Sequence, residues 1–184
     1  MTEFRTVKSS QNILKELMIP SYSNFGGKVH GGIILSLMDK IAYTTAASHS
    51  RAYCVTASVD SVNFVNPVEV GELVTLMASV NYVGRSSMEV GIKVYSEDFQ
   101  HGITKHTNTS YFTMVAIDEQ TRKPVAVPGL ILEEDVEVKR FIWGKIRKKM
   151  KADYRQAFQT LPSEVDIARE TQSLAEENCR IALS

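Results

Sequence analysis

The sequence predicts an α+β fold in which an antiparallel sheet wraps around one central helix. Apolar residues recur at helical spacing between residues 33 and 48, and after that stretch the apolar period changes from about 3.6 to 2. Glycine, proline and aspartate residues then separate the alternating runs, as they do in successive hairpins. One buried helix followed by several long strands indicates a sheet that packs on the helix.

The central helix is predicted from Ile33 to about Ser48. Apolar residues cover almost its whole circumference, so we expect the helix to be largely buried rather than to lie on the surface. The residues on its main apolar side are Ile34, Leu37, Met38, Ile41 and Thr45, and those that widen this side are Leu35, Ala42 and Ala46.

Strands are expected on both sides of this helix. A short extended segment, Lys15 to Ile19, precedes the helix and ends at Pro20, and the polar residues 1–12 are expected to be loose. Four longer antiparallel strands are expected after the helix, because apolar and polar residues alternate there. The predicted runs are 55–59, 73–83, 88–94 and 107–117.

Residues 136–184 differ in composition from the rest, and we treat them as a helical extension of a domain that comprises residues 1–135. Residues 138–158 are strongly basic and follow a helical period. Pro162 interrupts this pattern, and a second, more acidic helix is predicted from Glu164 to Leu183. The basic helix carries an apolar stripe of Phe141, Ile142, Ile146, Met150, Tyr154 and Phe158.

The composition is that of an ordinary globular protein. Lysine plus arginine equals aspartate plus glutamate at 21 each, so the charge balance gives no indication of a nucleic-acid partner. Cys54 and Cys179 match no CxxC pattern and are expected to be free thiols in a reducing compartment. The N-terminal residues lack the apolar run of a signal peptide, so we expect a cytoplasmic location.

The segment Asn24–Asp39, NFGGKVHGGIILSLMD, is the most informative for function. Gly31 and Gly32 lie where the helix begins, and a helix N-terminus exposes unpaired N–H groups with a partial positive charge. Glycine lets a ligand approach these groups closely, which suits a carbonyl oxygen that becomes negative during a reaction. Asp39 lies about two turns, or roughly 10 Å, further along a similar side of the helix. This carboxylate has either a structural role, in an ion pair or a hydrogen bond to the sheet, or a catalytic one.

In order and spacing, this segment resembles the hot-dog acyl-CoA thioesterases, specifically the cytosolic acyl-CoA hydrolase branch that includes the YciA-type bacterial enzymes. That branch has a short strand ending in proline, then an asparagine, glycines, a GG pair that opens the central helix, and an aspartate. The resemblance covers roughly Lys15 to Pro128 and favours the catalytic role for Asp39 within a hot-dog fold. The matching residues are Pro20, Asn24, Gly27, Gly31, Gly32 and Asp39.

The resemblance implies an enzyme that hydrolyses acyl-CoA to a carboxylic acid and coenzyme A. The thioester carbonyl would accept a hydrogen bond from the N–H of Gly31 or Gly32, while Asp39 would act as general base on water or attack directly. Asn24 would orient the water or the carbonyl. In the family the aspartate and the helix N-terminus of one site come from different subunits, which implies a homo-oligomer: a dimer at least, and a hexameric trimer of dimers by resemblance.

His30 departs from the YciA-type pattern, which usually has an aromatic residue before the GG pair. His30-Gly31-Gly32 instead resembles the HGG of the phenylacetyl-CoA-type thioesterases in the same superfamily. Gly32 and Asp39 keep their roles in both branches, so His30 is a further candidate catalytic residue whose identity bears on the preferred acyl group. The alternative is a loop histidine that bonds only to the backbone.

Coenzyme A carries phosphates, so cations are expected at the entrance of the site. Arg85, in the turn Gly84–Ser87, is the best candidate for binding them, and Ser86 and Ser87 would supply hydroxyl groups. No metal is implied, because the four histidines show no ligand spacing. No cofactor is expected either, since coenzyme A is part of the substrate.

Two other functions are considered. A hot-dog hydratase or dehydratase would need a histidine paired with an acid, which His30 could supply, and a non-catalytic acyl-CoA sensor would use the same pocket. The extension has three interpretations, of which we favour the first: it covers the sheet and stabilises the oligomer, it holds the nucleotide end of coenzyme A in a neighbouring subunit, or it touches an anionic membrane.

Overall fold

The computed structural model describes residues 3–162 and 164–182, which divide into two compact units, Met1–Ile146 and Arg147–Ser184. The first unit contains a five-stranded antiparallel sheet, a small two-stranded parallel sheet and the central helix α1, Gly31–Ser50. The predicted α+β architecture, with a sheet packed on one helix, is confirmed.

The large sheet has the strand order β2-β4-β5-β6-β3, so β2 and β3 lie at its two edges. β4 covers the predicted run to the residue, while β5 and β6 are longer than predicted because their hairpin extends the ladder of hydrogen bonds to Asp98 and Ile103. The strands are β1 Phe4–Thr6, β2 Asn12–Leu17, β3 Tyr53–Val59, β4 Leu73–Val83, β5 Ser87–Asp98, β6 Ile103–Ile117 and β7 Gly129–Ile131.

The core lies between α1 and the sheet. All five residues predicted on the main apolar side of the helix are buried, as are Ala42 and Ala46, whereas Leu35 is partly exposed. They pack with Val74, Leu76 and other apolar side chains of the sheet's inner face. The helix therefore has one outer side that does not enter the core, and this side carries Asp39.

The N-terminal residues differ from the prediction of a loose segment. β1 pairs in parallel with β7, and a 3₁₀ turn, Val7–Ser10, follows it. The buried Ser10 hydroxyl accepts a hydrogen bond from the Val80 amide at 3.0 Å. The prediction was wrong because these contacts join segments far apart in sequence, which local polarity does not reveal; residues 1 and 2 lie outside the described residues.

Helix α2, Asp135–Gln159, begins in the first unit and continues into the second. Its start is capped by Glu137, whose carboxylate accepts hydrogen bonds from the amides of Glu133 and Glu134 at 2.7 and 3.3 Å. Of the predicted apolar stripe, only Phe141 is half-buried, with its ring 4.9 Å from that of Tyr82. The exposed members of the stripe are Ile142, Ile146, Met150, Tyr154 and Phe158.

The second unit holds the rest of α2, the single-turn helix α3, Ile167–Glu170, and a 3₁₀ turn, Thr171–Leu174. The prediction of a continuous acidic helix from Glu164 onwards was wrong, and its last predicted residue, Leu183, lies outside the described residues. Short helices in water need an apolar face that packs, and nearly all described side chains here are exposed. No described helix is both long and apolar enough to cross a bilayer.

Candidate active site

The loop before α1 is a tight hairpin held by the side chain of Asn24. Its Oδ1 atom accepts hydrogen bonds from the amides of Gly26 at 2.8 Å and Lys28 at 3.2 Å. Gly27 lies in the left-handed region at φ 78°, a conformation that favours glycine. Because the Asn24 oxygen is committed to the loop, its Nδ2 group is left as the donor of this side chain.

Helix α1 begins at Gly31, with His30 as its N-cap. The His30 Nδ1 atom accepts a hydrogen bond from the Gly32 amide at 2.9 Å, so one of the two predicted oxyanion donors is occupied in this structure. A Cβ at Gly32 would lie 2.8 Å from His30 Nδ1, and one at Gly31 would lie 3.3 Å from the Phe64 ring. Glycine at position 32 therefore lets the His30 ring cap the helix, and a side chain at position 31 would displace the Phe64 ring slightly.

Asp39 lies on the outer side of α1 and is exposed. Its Oδ1 atom accepts a hydrogen bond of 2.6 Å from the hydroxyl of Thr56 on β3. Within the described parts of the chain, Asp39 forms no ion pair. Of the two structural roles considered for this carboxylate, the ion pair is therefore not present, whereas the hydrogen bond to the sheet is, through Thr56. This hydrogen bond occupies one carboxylate oxygen and leaves the second available, so it is compatible with the catalytic role.

The local structure of β3 explains how Thr56 reaches the helix. A β-bulge follows Thr56, where the register of β3 against β6 shifts between Thr56 and Ser58. Bulges bend a strand and redirect its side chains, and they are common beside active sites. β3 is also an edge strand, with β6 on one side and no strand on the other among residues 3–162 and 164–182.

A groove of about 390 Å³ lies beside the Asp39–Thr56 hydrogen bond, between α1 and β3. Its lining is mixed, with somewhat more apolar than polar surface. Burial raises the pKa of the Cys54 thiol, against a smaller opposing effect of the Ser50 hydroxyl, so the thiol stays neutral. The lining residues are Asp39, Lys40, Tyr43, Tyr53, Cys54, Val55, Thr56 and Met114.

Other predicted site residues lie apart from this groove. Gly32 and Asp39 are two turns apart on one helix, or roughly 10 Å, so a single carbonyl group cannot contact both within one subunit. The turn of Arg85, Ser86 and Ser87 is also distant from the groove. Ser87 on β5 pairs with Val115 on β6, and Val115 pairs with Val55 on β3, which lines the groove. Two strand spacings, or about 10 Å, therefore separate Ser87 from the groove. In one subunit, the predicted residues thus form three separate groups. These are Asp39, the residues at the start of the helix (Asn24, His30, Gly31 and Gly32), and the turn residues Arg85, Ser86 and Ser87.

Sequence reasoning missed Thr56, Tyr43 and Tyr53. Thr56 was recognised only as a polar member of an alternating strand, and the two tyrosines not at all. A polar residue on the first strand after the helix is a weak indication, because its contact with Asp39 depends on how the sheet curves over the helix.

Residues 26–102 match the sequence profile of the thioesterase superfamily. The Helicobacter pylori protein VdlD is 41% identical over 146 residues, which cover 79% of this chain and 83% of that protein.

Solved structures give the same result. A hexameric acyl-CoA thioesterase in its apo form superposes with a TM-score of 0.79 at 34% identity, covering 87% of this chain and 99% of that one. An acyl-CoA hydrolase from Staphylococcus aureus, solved with butyryl coenzyme A and coenzyme A, gives 0.77 at 33% identity and covers 85% and 96% of the two chains. Three structures of alanine variants of the S. aureus enzyme are also similar to this chain. The residues replaced in them are an asparagine, an aspartate and a threonine.

The sheet wrapped around one helix, with a carboxylate on the outer side of that helix, defines a hot-dog protein. The chain belongs to the thioesterase superfamily. The resemblance noted in the sequence is thereby confirmed.

Proposed function

We propose that this protein is an acyl-CoA thioesterase that hydrolyses acyl-CoA to a carboxylic acid and coenzyme A. The observation that carries the proposal is the exposed Asp39 carboxylate, held by Thr56 at 2.6 Å beside a groove that is partly lined by apolar side chains. A carboxylate in this position can activate water, and the apolar part of such a groove can hold an acyl chain. The relatives named acyl-CoA thioesterase and acyl-CoA hydrolase support the same reaction.

Asp39 acts in this proposal as the general base. It removes a proton from water, the water oxygen bonds to the thioester carbonyl carbon, and the carbonyl oxygen becomes an oxyanion. When this intermediate collapses, the carbon–sulfur bond breaks, and the coenzyme A thiolate takes the proton. The hydrogen bond from Thr56 fixes one oxygen of Asp39 and leaves the other to accept the proton of water.

Direct attack by Asp39, through a mixed anhydride, is the alternative. A single turnover in oxygen-18 water detects an anhydride that water opens at the Asp39 carbonyl. General-base catalysis puts the label into the carboxylic acid in the first turnover. Water that opens an anhydride at the Asp39 carbonyl would instead leave the label in the protein.

The oxyanion is stabilised by the N-terminus of α1 from a second subunit. The Gly31 amide has no partner within the described residues, and it lies at the positive end of the helix dipole. The Gly32 amide becomes a second donor if the His30 ring turns away from it. Asn24 donates from Nδ2 to the carbonyl, since its oxygen is held by the loop amides.

The S. aureus variants support three of these assignments. The asparagine, aspartate and threonine replaced in that enzyme have the same spacing along the chain as Asn24, Asp39 and Thr56 here. The agreement extends the proposed site from the two residues read from the sequence to Thr56.

The proposed assembly is a homo-oligomer in which paired subunits share each site. The separation of Gly32 from Asp39 requires a second subunit, and the open edge of β3 offers a strand for pairing. Similar proteins described as hexameric support a trimer of dimers. In this assembly, Arg85, Ser86 and Ser87 bind the phosphates of coenzyme A, and the free thiols Cys54 and Cys179 fit a cytoplasmic location.

Release of free thiol from acyl-CoA tests the reaction. We expect hydrolysis by the wild type and a loss of about 10²–10⁴-fold in kcat for Asp39→Asn, the range that a general base supplies. Hydration of crotonyl-CoA without thiol release would identify a hydratase, and tight acyl-CoA binding without turnover would identify a sensor. Either result refutes the proposal.

Mixing two inactive variants tests the shared site. Random dimers of Asn24→Ala and Asp39→Asn, formed by co-expression, contain one intact site in half of the dimers if the two residues come from different subunits. We expect recovery of about a quarter of wild-type activity. No recovery above the separate variants would show that both residues act within one subunit.

A further inference from the structure

The groove beside Asp39 is bounded at both ends by contacts between α1 and β3. At one end, Asp39 on the helix meets Thr56 on the strand at 2.6 Å. At the other end, Tyr43 on the helix meets Tyr53 on the strand, with ring centroids 6.0 Å apart and the rings edge to face. The tyrosine pair thus lies at the end of the groove that leads away from the carboxylate along α1.

The length between these two contacts is one turn of helix. Tyr43 follows Asp39 at the i+4 position on the same side of α1, which corresponds to about 6 Å along the helix axis. An extended carbon chain covers this distance in about four or five bonds, each near 1.5 Å.

The wall between the two contacts suits an alkyl chain. Val55 and Met114 are apolar and the Cys54 thiol is kept neutral by burial, whereas Lys40, next to Asp39 on the helix, adds a cation to the lining. Burying one methylene group in such surroundings contributes about 0.8 kcal/mol, or about fourfold in affinity. Each added carbon should therefore strengthen binding until the chain reaches the tyrosine rings.

We propose that the acyl chain lies in this groove and that Tyr43 and Tyr53 set the chain-length preference, at about four to six carbons. The proposal rests on the thioesterase function and adds the substrate class. Both tyrosines are exposed in the single subunit, at 40% and 37%, and their rings are in edge-to-face contact. A longer acyl chain has to separate the two rings, which costs their mutual contact.

The test is a chain-length series from acetyl- to palmitoyl-CoA, with kcat/KM measured for the wild type, Tyr43→Ala and Tyr53→Ala. The wild type should show a maximum near butyryl- or hexanoyl-CoA. In both variants, the maximum should move to longer chains, and the ratio of kcat/KM for dodecanoyl-CoA to that for butyryl-CoA should rise at least about tenfold, since several more methylene groups are buried.

Three further variants separate the shape of the groove from other effects. Tyr43→Phe keeps the ring and should keep the wild-type maximum. Tyr43→Leu removes the ring but retains a good helix former, so it reports on the groove even if the alanine variant folds poorly. Phe99→Ala removes an exposed aromatic side chain from the turn after β5, at the opposite end of this strand from Ser87, and should change nothing.

The outcomes distinguish this inference from the proposed function. A wild-type maximum at dodecanoyl-CoA or longer, or an equal loss for all chain lengths in the tyrosine variants, overturns the inference and leaves the thioesterase intact. If the wild type releases no thiol at all, the proposed function fails. The same series is then measured as equilibrium binding, where the length limit must still appear and must still be relaxed by Tyr43→Leu.

Discussion

Replacement of Thr56 by valine removes the hydroxyl group that holds Asp39 and keeps the shape of the side chain. The lost hydrogen bond is 2.6 Å long and its acceptor is a carboxylate. Hydrogen bonds to charged groups contribute about 1.5–3 kcal/mol. Both side chains are exposed in the single subunit, which favours the lower figure; a site covered by substrate and a second subunit favours the upper one.

These figures correspond to a loss of about 10- to 150-fold in kcat/KM, since about 1.4 kcal/mol is a factor of ten. The loss should fall mainly on kcat, because the hydroxyl group positions the base rather than binding the acyl chain. Butyryl-CoA is the appropriate substrate, and release of thiol is the assay. Thr56→Ser retains the hydroxyl group and should keep most of the activity.

Folding should not be affected, because Thr56 lies exposed on an edge strand and valine is a good strand residue. Equal melting temperatures for the two variants and the wild type are therefore the control. If Thr56→Val is as stable as the wild type and its kcat/KM stays within about twofold, the hydroxyl group does not position Asp39, and the reasoning is refuted.

Two predictions concern stability. Gly144→Ala should lower the melting temperature by a few degrees, because the added Cβ would lie 2.5 Å from Tyr82 Cβ where α2 packs on the sheet. The better helix propensity of alanine does not compensate for this collision. An unchanged melting temperature would contradict this packing. Burial lowers the pKa of His49, so the unfolded chain binds a proton that the folded chain does not, and the free energy of unfolding should fall as the pH drops below about 6.5. Denaturant titrations at pH 5 and 7.5 should show a smaller pH dependence for His49→Gln than for the wild type, and equal dependences would show that other groups cause it.

The parts of the fold that the sequence predicts are those fixed by local pattern. β4 matches its prediction, Leu73 to Val83, because alternation is regular and Gly71 and Gly84 end the run on both sides. Helix α1 begins at Gly31, as the glycine pair predicts and two residues before the periodic apolar run that starts at Ile33, and the His30 ring caps it. Histidine is not among the usual capping residues, so the sequence does not indicate that His30 is the cap.

The parts that sequence reasoning missed depend on contacts between distant segments. The Ser10 hydroxyl binds the Val80 amide across 70 positions, and the His49 ring binds the Pro128 carbonyl across 79. The Asp39–Thr56 hydrogen bond spans only 17 positions, yet it requires both the bulge in β3 and the curvature of the sheet. Periodicity places Thr56 on the polar face of its strand and gives no information about what lies opposite.

The outer side of α1 and the open edge of β3 are both uncovered in the single subunit. A single contact with a second subunit would cover both. α1 buries its apolar side against the sheet but leaves Asp39 and Tyr43 facing outwards, and β3 leaves one edge without a partner strand in the described chain. An unpaired edge strand is a liability that proteins usually cover or charge. Paired subunits that join their β3 edges would remove this liability and bring a glycine-opened helix end towards Asp39. Ala57→Pro removes an amide donor within this edge strand. If β3 pairing builds the site, this variant should lose assembly and hydrolysis together. Loss of assembly with full hydrolysis would show that the site does not depend on β3 pairing.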